Sequence, residues 1–166
     1  MNPPVVAFVG RSGAGKTTLL VKVIAELHGR GINVGSIKHS HHITAAAMDA
    51  EGKDSWRHKQ AGAERTLLVG KERLQLISDS PDQLSPAELA NRYMDGMQLV
   101  LAEGYKESPG DKIEVVRAER ANSSLLSPED GLIALASDIQ MNVNVPHFEL
   151  DDPVPIVDFL VARYLS

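Results

Sequence analysis

The sequence predicts an α/β fold of the P-loop NTPase type. We expect a doubly wound, mainly parallel sheet with helices on both faces and an inserted antiparallel β-hairpin. Three observations predict it: a glycine-rich motif between an apolar run and an amphipathic helix, apolar runs that alternate with helical stretches, and one pair of adjacent strand-like runs. With 166 residues, 43% hydrophobic and 23% charged, the chain suits a single domain over residues 1–166.

The first elements surround the glycine-rich motif. The short apolar run Val5–Val9 is typical of a buried parallel strand. The helix after the motif is predicted to end at Gly29-Arg30-Gly31, and a second strand is expected over 32–37. The apolar face of that helix has residues at positions i, i+3, i+4 and i+7, namely Leu20, Val23, Ile24 and Leu27.

The middle of the chain contains the hairpin. A polar loop is predicted from His39 to Gly52, and a short helix follows it to about Ala61. The strand-like runs Arg65–Val69 and Arg73–Ile77 are separated by Gly70-Lys71-Glu72, which indicates two antiparallel strands joined by a turn.

The last part of the chain returns to alternating helices and strands. Ser85-Pro86-Ala87-Glu88 is a capping box with proline at the first helical position, so a helix to about Met94 is expected. A final helix is predicted to start at Asp151-Asp152-Pro153. The three buried strands predicted between these helices are Leu99–Ala102, Ile113–Val116 and Leu132–Ala136.

The glycine-rich motif predicts a nucleotide. Gly10–Thr17 matches the pattern G-x-x-x-x-G-K-[ST] at every fixed position, between a predicted strand and a predicted helix. Backbone N–H groups of such a loop surround a phosphate, the lysine binds the β/γ-phosphates, and the threonine hydroxyl binds Mg²⁺. Lys16 is also expected to act in catalysis. The expected nucleotide contacts are Gly10, Ser12, Gly13, Ala14, Gly15, Lys16, Thr17 and Thr18.

Two acidic residues are candidates for catalysis and for binding Mg²⁺ together with Thr17. Glu103 ends a buried strand, where an acid approaches the metal through water or positions a water molecule. For Asp54 two interpretations stay open. It is either a helix N-cap, a role that Ser55 could also fill, or a carboxylate that approaches Mg²⁺ or the attacking water.

A histidine-rich segment follows the second predicted strand. Lys38-His39-Ser40-His41-His42 lies where ligand-binding loops of doubly wound sheets gather, so Lys38 and His39 are expected to contact the nucleotide. A transition-metal site built from the histidines and an exposed polar loop remain open alternatives.

Asp138 follows the predicted strand Leu132–Ala136, where guanine-binding P-loop proteins often keep an aspartate. A carboxylate there can accept from the ring N–H and the exocyclic amine of guanine, a pair that adenine lacks. The alternative is a purely structural turn-forming cap.

The composition narrows the function classes. A net charge of −5 and a pI near 5.6 argue against a nucleic-acid binder. The chain has no cysteine, which excludes disulfides and thiolate chemistry. No apolar run approaches the length of a membrane span, so a cytoplasmic protein that does not interact with membranes is expected.

Taken together, the motifs resemble the molybdopterin-guanine dinucleotide biosynthesis protein B (MobB) family over nearly the whole chain. The pair formed by Lys38–His42 and Gly52–Ser55 makes the match specific. The resemblance implies a GTP-binding protein, usually a homodimer joined partly through its hairpin. Such a protein assists the guanylyltransferase that couples GMP to molybdopterin. The motifs concerned are Gly10–Thr17, Ile37–His42, Gly52–Ser55, Ala61–Ala63, Glu103–Lys106 and Ala136–Asp138.

The leading hypothesis is therefore a GTP-binding accessory protein with weak, Mg²⁺-dependent GTPase activity. Molybdopterin itself is a further candidate ligand. One alternative is a small-molecule kinase in which Arg117 and Arg120 form an arginine-rich lid. Another is a metal-delivery GTPase that uses the His39–His42 cluster.

Overall fold

The computed structural model describes residues 2–40, 43–79, 84–120 and 125–165. The chain divides into two compact units, of which the first combines residues 1–39 with 84–166 and the second spans residues 40–83. The expectation of one domain over 1–166 stays a prediction.

The strands in chain order are β1 (Val5–Val9), β2 (Val34–Lys38), β3 (Arg65–Val69), β4 (Leu74–Ser78), β5 (Leu99–Glu103), β6 (Asp111–Val116), β7 (Leu132–Ser137) and β8 (His147–Phe148). The helices are α1 (Lys16–Gly29), α2 (Ala45–Met48), α3 (Asp54–Gln60), α4 (Pro86–Tyr93) and α5 (Val154–Tyr164).

The first unit is a parallel α/β structure, as the sequence predicts. Its six strands have the order β2-β5-β1-β6-β7-β8, and every neighbouring pair is parallel. In the register of the sheet, Phe8 of β1 lies beside Glu103 of β5, and Val9 lies beside Glu114 of β6. The carboxyl ends of these three strands therefore meet at one edge of the sheet.

The two faces of this sheet have different cores. On one face, Phe8, Leu101 and Ile113 are fully buried in a large cluster that includes residues of α1 and α5. On the other face the buried cluster consists of Ala7, Val9 and Ala102. Helix α4 lies on this second face, where its Ala87 and Asn91 line a cavity with Val5 and Ala7. Helices therefore cover both faces, as predicted.

The second unit contains the hairpin, and it is antiparallel as predicted, with Leu67 opposite Leu76 and Val69 opposite Leu74. Because side chains alternate along a strand, these four residues share one face of the hairpin. All four are exposed, by 56%, 41%, 70% and 67% respectively. We call them the hairpin patch.

Several boundaries differ from the predictions for local reasons. β2 begins at Val34 rather than at 32, because the N–H of Ile32 still donates to the carbonyl of Leu27 and closes the end of α1. The predicted polar loop 39–52 contains the short helix α2, whose N-cap Thr44 accepts from the N–H of Ala47. The two-residue strand β8 has no sequence signal. The predicted capping box at Ser85 is confirmed.

Candidate functional site

The candidate site lies at the carboxyl edge of the first unit's sheet. Parallel strands bring their carboxyl ends to one edge, where ligands of open α/β sheets bind. Four segments meet there: the loop Gly10–Gly15 after β1, Glu103 at the end of β5, Arg117 after β6 and Asp138 after β7. The last residue of β2, Lys38, is next to Glu103 in the sheet.

Glycines determine the shape of the loop after β1. Gly10, Gly13 and Gly15 have φ angles of 140°, 77° and 92°, a region that residues with a Cβ rarely adopt. A Cβ on Gly10 would lie only 2.3 Å from the carbonyl oxygen of Val115. Gly15 is the N-cap of α1 and supplies no side-chain cap, so the positive end of the helix faces the loop. This arrangement suits an anion.

Lys16 is held across the loop that precedes it. Its Nζ donates to the carbonyl oxygens of Gly10 and Arg11, both at 2.8 Å. Partial burial lowers the pKa of Lys16, Glu103 opposes this shift, and Lys38 adds to it. The ammonium group therefore lies against the backbone of the loop, and its predicted contact with the β/γ-phosphates stays a prediction.

Thr17 and Glu103 form the direct link between β5 and α1. The Thr17 hydroxyl donates to Oε1 of Glu103 at 2.8 Å, and Nζ of Lys38 lies 3.5 Å from the same oxygen. Glu103 is buried, with only 9% of its surface exposed. A hydroxyl and a carboxylate are the hard oxygen ligands that Mg²⁺ prefers.

The turn after Glu103 brings His39 and Tyr105 together. Gly104 and Tyr105 have φ angles of 97° and 61°, and Tyr105 is the one residue other than glycine with positive φ among those that the structure describes. The rings of Tyr105 and His39 lie 5.0 Å apart, and the His39 N–H donates to the carbonyl oxygen of Glu103 at 3.1 Å. Burial raises the pKa of Tyr105. His39 is therefore close to Glu103, and its predicted contact with the nucleotide stays a prediction.

Arg117 also belongs to this site, although the sequence suggested it only for the kinase alternative, as part of a lid. A Cβ built on Gly15 would lie 3.1 Å from its Nε and 3.2 Å from its Nη2, so the guanidinium rests against the loop. Nη1 lies 4.0 Å from Oδ2 of Asp138, and Oδ1 of Asp138 accepts from the N–H of Ala118 at 2.8 Å. The feature of the sequence that indicates this position is a basic residue directly after a buried strand. The side chain of Arg120 lies outside the described residues.

Asp54 belongs to the second unit, and the N-cap interpretation is wrong for both Asp54 and Ser55. Helix α3 begins at Asp54, and Lys53 occupies the cap position. Asp54 is exposed and lies 3.9 Å from Arg57, while the hydroxyl of Ser55 donates to Asp49 at 2.7 Å. An acid in the first turn still interacts favourably with the helix dipole. The predicted role of Asp54 at Mg²⁺ stays a prediction.

The histidine cluster extends beyond the described residues, because His41 and His42 lie outside them. Within the described ranges, no group of three or more histidine, aspartate or glutamate side chains is arranged to hold a metal. In those same ranges, no helix combines the length and hydropathy needed to cross a bilayer.

Fold and site together define an α/β protein whose glycine-rich loop, buried acid and basic side chains share the carboxyl edge of a parallel sheet. The sequence pattern of the molybdopterin guanine dinucleotide synthesis protein B family matches residues 5–138, and the chain belongs to this family.

Similar proteins agree with this assignment. The Haemophilus influenzae molybdopterin-guanine dinucleotide biosynthesis adapter protein is 37% identical over 158 residues, which cover 95% of this chain and 87% of that protein. The Escherichia coli protein of the same description is 38% identical over 163 residues, covering 95% and 91%. The crystal structure of Bacillus subtilis MobB is 27% identical, covers 97% of this chain and 98% of its own, and superposes with a TM-score of 0.70.

Proposed function

We propose that this chain binds GTP with Mg²⁺ in the Gly10–Thr17 loop and acts as an adapter in the attachment of GMP to molybdopterin. One observation carries the binding: the Thr17 hydroxyl donates to buried Glu103 at 2.8 Å, directly beside Lys16. The hydroxyl and carboxylate oxygens of this contact and the Lys16 ammonium lie next to a loop with three positive-φ glycines, which supports the proposal.

The phosphates would be bound by the loop and by Lys16. The free N–H groups at the start of α1 and the helix dipole favour an anion at this point. The two hydrogen bonds that the structure shows for the Lys16 ammonium both go to carbonyl oxygens of the same loop, and phosphate oxygens can replace these acceptors. We expect a bound phosphate to raise the pKa of Lys16 again.

Thr17 and Glu103 are the residues that would hold Mg²⁺, Thr17 directly and Glu103 through water. Their chemistry fits, because both offer hard oxygen atoms and Glu103 is a buried carboxylate at the edge of the sheet. When bound, Mg²⁺ would neutralise part of the charge on the phosphates. Nζ of Lys38, 3.5 Å from Oε1 of Glu103, supplies a positive charge beside that carboxylate.

Guanine would be recognised by Asp138. Its Oδ1 already accepts from Ala118, and a carboxylate offers about four lone-pair positions, so acceptor capacity remains for the N–H groups of the base. Asp138 is also exposed and follows β7 at the same edge as the loop.

Hydrolysis is proposed to be weak. Glu103 is engaged by Thr17 and lies close to Lys38, so it is not poised to take a proton from water. Such GTPases, when no arginine finger is supplied in trans, turn over at about 10⁻⁴ to 10⁻² s⁻¹. Turnover of many GTP molecules per second by the chain alone would contradict an adapter role.

The proposed partner is the nucleotidyltransferase that joins GMP to molybdopterin. The similarity to two proteins described as adapters in molybdopterin-guanine dinucleotide biosynthesis supports this. The test is a pull-down of the purified transferase by the immobilised chain with Mg²⁺ and GTP. We expect capture by the parent chain, whereas equal failure with GTP, with GDP and without nucleotide would contradict the adapter role.

The control for the pull-down is Lys16→Ala, which removes the ammonium group and its two hydrogen bonds to carbonyl oxygens of the loop. If capture depends on bound GTP, this variant should capture far less transferase. Undiminished capture would mean that binding of the transferase does not require bound GTP. Only the adapter part of the proposal would then remain.

We also propose that the chain is a homodimer joined through the hairpin patch. A two-stranded hairpin alone is marginally stable in water, and here Leu67, Val69, Leu74 and Leu76 are all largely exposed. Burying such side chains against a second copy is worth roughly 1.5–3 kcal/mol each. Sedimentation equilibrium should give a dimer at micromolar concentration, and a monomer would contradict this proposal.

A further inference from the structure

We propose that Arg117 is a nucleotide-binding residue and that Asp138 is its positioning residue. Asp138 would hold the Arg117 guanidinium against the glycine-rich loop, where it contacts the phosphates of the nucleotide. This role rests on the proposed binding of GTP by the Gly10–Thr17 loop and extends it to the next strand of the sheet.

The placement of Arg117 comes from the topology. β6 is the neighbour of β1, and Val9 lies beside Glu114, so the chain after β6 runs close to the loop after β1. The guanidinium touches the loop at Gly15, the residue that precedes Lys16, with Nε and Nη2 3.1 and 3.2 Å from where a Cβ would stand. Arg117 and Lys16 thus flank the same turn of backbone.

Asp138 explains why Arg117 lies there. One carboxylate oxygen accepts from the N–H of Ala118 at 2.8 Å, which fixes the backbone immediately after Arg117. The other lies 4.0 Å from Nη1, which is longer than a hydrogen bond. Asp138 therefore holds the backbone beside Arg117 and attracts the guanidinium by its charge, without a hydrogen bond to Nη1.

The exposure of the pair favours a ligand over a structural purpose. The side chains of Arg117 and Asp138 are 41% and 39% exposed. An ion pair this exposed contributes little to stability. A guanidinium beside the glycine-rich loop can bind a phosphate more strongly, because its planar set of donors matches two phosphate oxygens at once.

The first experiment measures the binding of inorganic tripolyphosphate, MgGTP and MgATP by calorimetry. Tripolyphosphate has no base, so it reports on the phosphate contacts alone. We expect Arg117→Ala to weaken all three by about 10- to 100-fold, the usual cost of a lost charge-assisted bond. Arg117→Lys should recover part of the loss, because it keeps the charge but not the planar donors.

Two controls separate this role from others. Arg92→Ala removes the same charge from the exposed end of α4 and should change none of these affinities. The melting temperature without ligand should be the same for the parent chain and Arg117→Ala, because the ion pair is exposed. A parent chain that binds neither GTP nor tripolyphosphate would overturn the proposed function itself. A parent chain that binds both, with Arg117→Ala binding equally well, would overturn only the role of Arg117.

The second experiment tests the positioning role of Asp138 with a double-mutant cycle. Asp138→Ala should weaken tripolyphosphate binding in the parent chain, but have little effect when Arg117 is already alanine. A general structural defect would weaken binding in both backgrounds. Loss of a direct contact with guanine would not affect tripolyphosphate, because tripolyphosphate lacks guanine. Equal losses in the two backgrounds, or no loss in either, would contradict the positioning role.

Discussion

The two units of the molecule bury their apolar side chains very differently. Every described apolar side chain that is buried belongs to the first unit, where Phe8, Leu101 and Ile156 are completely inaccessible. Of the nine large apolar side chains that are exposed among the described residues, only Val21 and Val154 lie in the first unit, which leaves seven in the second.

This difference shows which unit can hold a rigid site. The first unit covers the faces of its own sheet, so its carboxyl edge can keep Lys16, Thr17 and Glu103 in fixed positions. The second unit forms correct local structure, with Ser55 bonded to Asp49 and Lys59 bonded to the carbonyl of Ala63, but no apolar core among its described residues. It is suited to pairing with another surface.

The largest effect is expected at Gly10 in the first unit. Gly10→Ala would place a Cβ 2.3 Å from the backbone oxygen of Val115, and the φ of 140° is itself unfavourable for alanine. We expect GTP binding to be lost and stability to fall by at least about 1–3 kcal/mol. Calorimetry and thermal melting measure both. The matched control is Gly29→Ala, where a Cβ meets nothing within 4 Å. If both variants bind GTP like the parent, the loop geometry is not the basis of binding.

The second-largest effect is expected on self-association through the hairpin patch of the second unit. Leu67 and Leu68 are adjacent and similarly exposed, at 56% and 51%, but only Leu67 belongs to the hairpin patch. Leu67→Asp should weaken self-association roughly 100-fold or more, because two leucines per dimer lose their burial. Leu68→Asp should have a much smaller effect. Sedimentation equilibrium distinguishes them, and equal behaviour of the two variants would contradict the assignment of this face.

A third, smaller effect tests whether Glu103, the buried acid of the first unit, helps to bind Mg²⁺. Glu103→Gln keeps the size of the side chain and removes its charge. We expect the affinity for GTP to fall about 10- to 100-fold in the presence of Mg²⁺. No such fall is expected in EDTA. Glu129→Gln, on an exposed carboxylate, is the control. A loss of equal size with and without Mg²⁺ would assign Glu103 a structural role instead.

The smallest effect is expected at a local cap within the first unit. Ser85 donates to Glu88, and these hydrogen bonds lower the pKa of Glu88 below its usual 4.5. A carboxylate with a lowered pKa in the folded state stabilises the fold above about pH 4.5, and this contribution is lost as pH falls through the lowered value. Ser85→Ala should cost about 1 kcal/mol at pH 7. The difference in stability between Ser85→Ala and the parent should shrink as the pH falls below about 4.5, and a difference that stays the same in acid would contradict this linkage.

The sequence allowed most of the fold to be predicted, because its signals are local. The motif Gly10–Thr17, the capping box at Ser85 and the hairpin turn at Gly70 each determine backbone conformation over a few residues. Helix α2 and strand β8 were missed because each is only one turn or two residues long. The start of β2 was misplaced because Ile32 belongs to the end of α1 by its hydrogen bond to Leu27.

The candidate site could be predicted only in part. Lys16, Thr17 and Glu103 belong to recognisable patterns, and the structure brings them together. The position of Arg117 follows from β6 being the neighbour of β1, which depends on strand order and so is not visible in local sequence. Asp54 was placed at a helix start correctly, but as the N-cap wrongly, because one residue separates these two positions.

The most direct test of the central claim is calorimetric titration of the parent chain and Lys16→Ala with MgGTP. We predict saturable binding to the parent chain and at least roughly 100-fold weaker binding to the variant, the loss expected for a charged hydrogen-bonding group. At about 100 times its Kd, GTP should stabilise the parent chain by about 2.7 kcal/mol. Equal binding by both proteins, or no measurable binding by the parent chain, would contradict the account.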